Sequence, residues 1–201
     1  LTVENDINEN FTKVKRFLKE AITNKPDFIL LPECFLFLSN HKDEIIKNAL
    51  PIDSTYMNYF KQFAKENKIL LLLGSLATRT ADKIYNCSFL LNDEGVVISS
   101  YNKIHMFDVK LKNGERYNES ETFDTGEDIS LVKVKEQILG HSICYDLRFP
   151  KLYRVLAKNG ANIIVAPSAF TLSTGKKHWH TLVKARAIEN GVFMIAPNQW
   201  G

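Results

Sequence analysis

The 201-residue chain is 45% hydrophobic and 24% charged, and its 26 basic and 23 acidic side chains leave a net charge of +3. This is the composition of a globular domain, outside the disordered class, and without a dense basic block nucleic-acid binding gains no support. The longest apolar runs, such as 69–73 and 163–167, fall well short of the roughly 20 residues a membrane span needs.

Three cysteines, Cys34, Cys87 and Cys144, without regular spacing or a visible secretory leader, predict a reduced cytoplasmic protein rather than a disulfide framework. No Gly/Ser/Pro-rich linker divides the chain, so a single domain over 1–201 is expected. Residue 1 is not Met and leads almost at once into a helix, and the apolar run 192–201 stops with nothing to pair it. A first strand and a C-terminal part are therefore expected to be missing.

Phe11, Val14, Phe17, Leu18 and Ile22 recur at three- and four-residue spacing and predict an amphipathic helix, with Asn8 or Asn10 as its cap and Asn24-Lys25-Pro26 as its end. A buried strand over 27–31 then delivers Glu33. Tyr56, Tyr59, Phe60, Phe63 and Ala64 form a second helical stripe, followed by a strand over 69–73. Helix and strand in alternation is the rhythm of an α/β sheet. Strands over 85–91 and 96–101, joined by Asn92-Asp93-Glu94-Gly95, predict an antiparallel hairpin that leads into Lys103. The polar stretch 109–126, with Glu115, Glu119 and Glu121, reads as one long loop. Strand character returns over 131–144 with a break at Glu136-Gln137. A helix over 149–158, a strand over 161–167, a helix over 176–189 and a strand over 192–197 complete the chain.

Three strand ends carry reactive side chains: Glu33 after Leu30-Leu31-Pro32, Lys103 after Tyr101-Asn102, and Cys144 within Gly140-His141-Ser142-Ile143-Cys144-Tyr145-Asp146. A thiol nucleophile needs a base for its proton and a donor or cation for the oxyanion that follows, and these three residue types fill those roles. Cys144 lies where a strand gives way to a helix, so helix-end amides would favour its thiolate and the Tyr145 amide could face an oxyanion. A buried structural cysteine is the competing explanation. Cys87 alternates with apolar neighbours and reads as core. Cys34 would point away from Glu33 if the strand continued there.

For Glu33 the competing explanation is a salt bridge, and for Lys103 a solvated surface position. His105 is a rival base, and His141 a second one, although its odd spacing from Cys144 sets the two on opposite faces of a strand. Asp146 and Arg148 flank the cysteine's turn, as local braces or, for the arginine, as a holder of a substrate carboxylate. His178 and His180, two apart on a helix, make a poor metal pair. Phosphate-binding glycine loops and a G-x-S-x-G elbow are absent.

Taken in order, Leu30-Leu31-Pro32-Glu33, Tyr101-Asn102-Lys103-Ile104-His105-Met106-Phe107-Asp108 and the segment Gly140 to Arg154 resemble the nitrilase, or carbon–nitrogen hydrolase, superfamily. The likeness continues through Ala166-Pro167-Ser168-Ala169-Phe170-Thr171, His178-Trp179 and Ala185-Arg186-Ala187-Ile188-Glu189. It is nearest to the branch that includes omega-amidase and deaminated-glutathione amidase.

The resemblance implies an α-β-β-α sandwich with mixed sheets, incomplete here at both ends, that associates into dimers or larger homo-oligomers. It implies Glu33 as general base, Lys103 as oxyanion stabiliser, Cys144 as the nucleophile that forms a thioester, and the Tyr145 amide as second oxyanion donor. From among the loop glutamates it selects Glu119, in the pair Glu119-Ser120, to orient the lysine or the attacking water. Asp146, Arg148, Ser168, Phe170 and Thr171 complete the expected substrate-binding set. One departure stands out: His180 follows His178-Trp179 where that branch commonly has Glu.

The expected function is hydrolysis of a small carboxamide, such as a dicarboxylic monoamide or deaminated glutathione, without cofactor or metal. A nitrilase or N-carbamoyl hydrolase with the same three residues, and a non-catalytic binding protein on the same fold, are the alternatives. Membrane and nucleic-acid partners are not expected.

Overall fold

The computed structural model describes residues 1–110, 114 and 116–200. Helix α1 (Ile7–Ile22) buries Val14 and Leu18, as its apolar spacing requires. Its cap is Asp6, whose Oδ1 accepts the N–H groups of Asn8 at 2.8 Å and Glu9 at 3.0 Å, and neither Asn8 nor Asn10 fills that place. Asn10 is instead buried, donating from Nδ2 to the carbonyls of Glu4 at 2.6 Å and Leu36 at 2.9 Å. An aspartate one turn earlier reaches the orphan amides while the asparagine ties two loops together.

Strand β1 (Phe28–Leu30) is followed by α2 (Lys42–Asn48), a helix the sequence pattern does not announce because it has no fully buried residue. Helix α3 (Thr55–Asn67) starts at Ser54, whose Oγ accepts from Met57 N–H at 3.3 Å, and ends at Lys68 in the left-handed region. Strands β2 (Leu70–Thr80), β3 (Lys83–Leu91) and β4 (Val97–Asn102) then join β1 in a four-stranded sheet of order β1-β2-β3-β4. The β3–β4 turn is the predicted one, with Gly95 N–H donating to Asn92 O at 2.9 Å and Gly95 at φ +76°.

The expected loop over 109–126 is more structured than its polarity suggests. Strands β5 (Asp108–Lys110) and β6 (Arg116–Asn118) pair antiparallel, and a 3-10 turn (Glu119–Glu121) follows. Exposed on one side, so small a ribbon carries little hydrophobic patterning to reveal it. Glu115 lies outside the described residues.

Strands β7 (Leu131–Val134) and β8 (Gln137–His141) are separated at Lys135-Glu136, next to the predicted break. A 3-10 turn (Cys144–Arg148), α4 (Pro150–Lys158), β9 (Ile163–Val165), α5 (Leu172–Asn190) and β10 (Phe193–Ile195) complete the second sheet and its helices. Its order is β10-β9-β8-β7, parallel except for β7. Helix α5 begins four residues before the expected start because the Thr171 side chain accepts from Thr174 N–H and caps it ahead of Gly175.

Alternation along the strands sets the layers. From β2, Leu71 and Leu73 join α1 and α3 in one core, whereas Leu72 turns the other way to meet Leu90, Leu139 and Val165 between the sheets. From β9, Ile164 packs with Leu152, Tyr153 and Leu156 of α4. The result is an α-β-β-α sandwich. Gly74 is required where β1 ends: a Cβ there would lie 1.8 Å from the Leu31 carbonyl oxygen, so only glycine lets the chain leading to Glu33 cross β2. Among the described residues no helix is long and apolar enough to cross a membrane.

One polar group crosses the dry layer between the sheets. His141, fully buried on β8, shares hydrogen bonds with Ser88 and Ser99, both at 3.0 Å, and Ser99 continues to Ser130 at 2.9 Å. Burial pushes this imidazole down to about 4, so it folds neutral and charges only on unfolding at mildly acid pH. The unfolded chain therefore binds the extra proton, and stability is lost as pH falls from about 6.5 toward 4. A urea titration series should show an acid-side loss of up to about 3 kcal/mol that His141→Gln removes. An equally steep loss in the variant would assign it elsewhere.

Candidate active site

Parity places the first two groups. Ser99, Tyr101 and Lys103 alternate along β4 and just beyond it, so the lysine continues the face that meets the second sheet. Its backbone is fixed on both sides: Lys103 N–H donates to Asn86 O and Gly126 N–H to Lys103 O, each at 2.9 Å. A Cβ on Gly126 would sit 2.1 Å from Asn102 O, so glycine is needed for that approach. Glu33 opens the turn that follows Pro32 beyond β1, and Gln199 Nε2 holds its carbonyl at 2.7 Å.

The side chains converge. Lys103 Nζ donates to Glu33 Oε1 at 2.9 Å and to Glu119 Oε2 at 2.8 Å and Oε1 at 3.0 Å. Glu33 Oε2 also accepts from Ala169 N–H at 2.8 Å, and Glu119 Oε2 from Phe107 N–H at 2.7 Å. Asn86 Nδ2 bridges the carboxylates, at 3.1 Å to Glu33 Oε1 and 3.0 Å to Glu119 Oε1. Burial opposes the Lys103 ammonium, but Glu119 and Glu33 together outweigh it and hold its pKa well above the ordinary lysine value.

Cys144 opens the 3-10 turn at φ +46°, a left-handed backbone that costs a non-glycine residue about 1 kcal/mol. Cys144 N–H donates to Pro167 O at 2.9 Å. The thiol is pushed well above its ordinary value, first by burial and then by the neighbouring Glu33 carboxylate; Lys103 pulls the other way. The expected helix-end stabilisation of a thiolate does not prevail against burial and the Glu33 charge. Tyr145 is second in this turn, so its N–H has no intrahelical acceptor and is available to a ligand.

A cavity of about 480 Å³ opens over these groups, lined by Glu33, Lys103, Glu119, Cys144 and Tyr145 together with Arg148, Phe170 and Thr171. The Arg148 guanidinium lies over the Tyr145 and Phe170 rings and meets His178 Nδ1 at 3.2 Å. Among the described residues it has no carboxylate partner.

Two expected substrate contacts fall elsewhere. Asp146 is buried and saturated, accepting from Tyr101 Oη at 2.8 Å, Ile143 N–H at 2.8 Å, His105 N–H at 3.1 Å and, at 2.6 Å, pairing with His105 Nδ1. It braces the cysteine's turn and takes no part in the cavity wall. Ser168 is likewise buried, its Oγ donating to Ala166 O at 3.0 Å. Both rival bases are engaged away from Cys144, His105 with Asp146 and the Phe149 ring at 3.7 Å, and His141 between the sheets.

Cys34, in contrast, does line the cavity. The strand ends at Leu30 and Cys34 has φ +52°, so alternation no longer governs it. His180 is exposed and outside the cavity wall. Asn86 is the site residue that sequence reasoning does not single out; an amide two residues from Ser88 on a largely apolar strand is the available signal. Among the described residues no group of His, Cys, Asp or Glu could hold a metal ion.

A thiol sharing a cavity with a carboxylate, an ammonium and a spare backbone N–H is equipped for nucleophilic acyl chemistry in a sandwich of two mixed sheets. A model of the carbon–nitrogen hydrolase family matches residues 2–201, and the chain belongs to that family. It is 40% identical over 210 residues to the deaminated glutathione amidase of Dictyostelium discoideum, which covers all of this chain and 72% of that protein. Against omega-amidase NIT3 of Saccharomyces cerevisiae the identity is 35% over 195 residues, 92% of this chain and 66% of that one. The crystal structure of the Caenorhabditis elegans NitFhit protein superposes with a TM-score of 0.90 at 36% identity, covering 100% of this chain and 50% of that one.

Because two buried carboxylates depend on one ammonium, Lys103→Met should lower the unfolding free energy by about 3–5 kcal/mol, the cost of stranding buried charge. Urea denaturation checks this. A loss below about 1 kcal/mol would mean that the carboxylates are solvated.

Proposed function

We propose that this chain is an amidase that hydrolyses a small carboxamide through a thioester on Cys144. The observation that carries the reading is the meeting, in one cavity, of the buried Cys144 thiol, pushed well above its ordinary pKa, with the Glu33 carboxylate and the Lys103 ammonium. A thiol in that state needs its proton removed as it attacks, and Glu33 is the carboxylate in place to take it.

In this mechanism Cys144 Sγ forms a bond to the carboxamide carbon while Glu33 accepts the thiol proton. The carbonyl oxygen becomes an oxyanion between Lys103 Nζ and the Tyr145 N–H. Collapse breaks the carbon–nitrogen bond, and Glu33 delivers its proton to the departing amine or ammonia. Water then loses a proton to Glu33 as it attacks the thioester; the second collapse releases the carboxylic acid, and the proton returns to sulfur. Glu119, bound to Lys103 through both oxygens, fixes the ammonium's direction.

The substrate is a small dicarboxylic monoamide or a deaminated glutathione-like amide. The names of the two amidase relatives support this, as does Arg148, whose guanidinium lines the cavity without a carboxylate partner among the described residues and suits a substrate carboxylate. Cys144→Ala should abolish ammonia or amine release from a panel of such amides, with a loss of at least about 10⁴-fold. Glu33→Gln should lose a comparable amount while keeping its fold. Alpha-ketoglutaramate should leave an acyl adduct on Cys144 in intact-mass spectra. Full turnover by Cys144→Ala would sink the reading; cleavage of nitriles or ureido acids in place of amides would reassign the substrate.

The same reading includes self-association. Ile188 on α5 and Phe193 on β10 are 80% and 76% exposed, large apolar side chains of the kind buried between subunits. Sedimentation should show a dimer or larger assembly that Ile188→Asp weakens, and a monomer at all concentrations would refute it.

A further inference from the structure

Asn86 stands on the face of β3 that also carries Ile84, Ser88 and Leu90, at the point where that face passes from dry core to site. It is 1% exposed. Its amide nitrogen divides its donors between Glu33 at 3.1 Å and Glu119 at 3.0 Å, and its carbonyl holds the Lys103 N–H at 2.9 Å. The side-chain oxygen, by contrast, is buried with no hydrogen-bond partner among the described residues.

That asymmetry is informative. Turning the amide over would aim its oxygen at two carboxylates and exchange two attractive contacts for two repulsive ones. The orientation is thus fixed by the carboxylates, and the orphaned acceptor is a cost that packing alone would not sustain, since a buried Leu or Val would avoid it. We propose that Asn86 is a positioning residue, whose two amide hydrogens hold Glu33 and Glu119 ionised side by side around a single ammonium.

Charge counting gives the reason. The titratable groups that face this point are Glu33 after β1, Lys103 after β4, Glu119 in its 3-10 turn, and the thiols of Cys34 and Cys144. With both thiols protonated, one positive charge is set against two negative ones. The amide hydrogens offset the excess without adding a proton that could wander. In their absence the cluster relieves itself by binding a proton on a carboxylate, which removes the acceptor that Cys144 requires. The acid edge of reactivity then moves to higher pH.

The test compares wild type with Asn86→Ser, which keeps one donor, Asn86→Ala, which keeps none, and Asn86→Asp, which adds a third carboxylate. Iodoacetamide alkylation of Cys144 is followed across about pH 5 to 9, with the Cys144 peptide identified by mass so that Cys34 is not counted. The expected acid edge rises in the order Asn, Ser, Ala, Asp, by about one pH unit or more at alanine. Amide turnover below neutral pH should fall by about tenfold or more in step.

Unfolding midpoints are measured in parallel. A variant that loses stability while its folded protein keeps the wild-type alkylation edge overturns the proposal, and so does an edge that does not follow the donor count. If the alanine variant fails to fold, the serine and aspartate variants decide between the same two outcomes. Only the turnover arm rests on the amidase reading; the alkylation arm needs no substrate, so failure of one is distinguishable from failure of the other.

Discussion

The Lys103 ammonium, buried between Glu33 at 2.9 Å and Glu119 at 2.8 Å, is the interaction on which the rest of the site depends. A charge in that position is expensive to desolvate, and its attraction to a carboxylate offsets the cost only if geometry is tight and every remaining polar site is satisfied. Here the satisfaction is spread widely. Ala169, Phe107 and Asn86 each donate to one or both carboxylates, and with Lys103 included they come from three separate stretches, at 86, 103–107 and 169. The cluster therefore forms only when both sheets and the 3-10 turn after β6 are in place.

The sandwich supplies the precision through alternation. The face of β4 that carries Ser99 and Tyr101 ends in Lys103, and the same face of β3 carries Ser88 and then Asn86. Along both strands the inner layer thus changes from apolar, at Leu90, through the His141 hydrogen bonds, to charged at the end. Tyr101 links the layers directly, donating at 2.8 Å to Asp146, the residue that also ties the Ile143 N–H ahead of the nucleophile's turn. The left-handed Cys144 is held in its strained conformation by these contacts and by Pro167.

Much of this was legible in the sequence, for physical reasons that differ by residue. Apolar periodicity exposed α1, α3 and most strands because their buried faces are long. Helix α2 and the β5–β6 ribbon bury too little for any period to show. The two explanations for Glu33, salt bridge and base, are compatible: the carboxylate that pairs with Lys103 through Oε1 is also the one whose charge pushes the Cys144 thiol up. Lys103 read as surface on composition alone, and only its place at the end of a buried face argued otherwise. The resemblance alone places Asp146 and Ser168 with the substrate, whereas the reading of Asp146 as a local brace is the one its contacts match; a family likeness does not say which way a side chain points, and the Ser168 hydroxyl turns back to its own backbone. Asn86 went unremarked because an amide lacks charge and reactivity, and its importance arises wholly from two partners 53 and 33 residues away.

The protonated thiol has a consequence for how rate and stability are divided. A preformed thiolate beside Lys103 would stabilise the resting enzyme and would have to be given up as the carbon–sulfur bond forms. Burial and the neighbouring carboxylate push the thiol pKa up instead, so before substrate arrives sulfur stays neutral and Lys103 remains committed to the carboxylates. On the amidase reading, negative charge then appears at the substrate oxygen only during attack, when the ammonium and the Tyr145 N–H gain most from it. On the amidase reading, the electrostatic strength of the cluster is thereby reserved for the transition state, and the rigidity of Glu33, pinned through both oxygens and its own carbonyl, sets how efficiently the proton is moved.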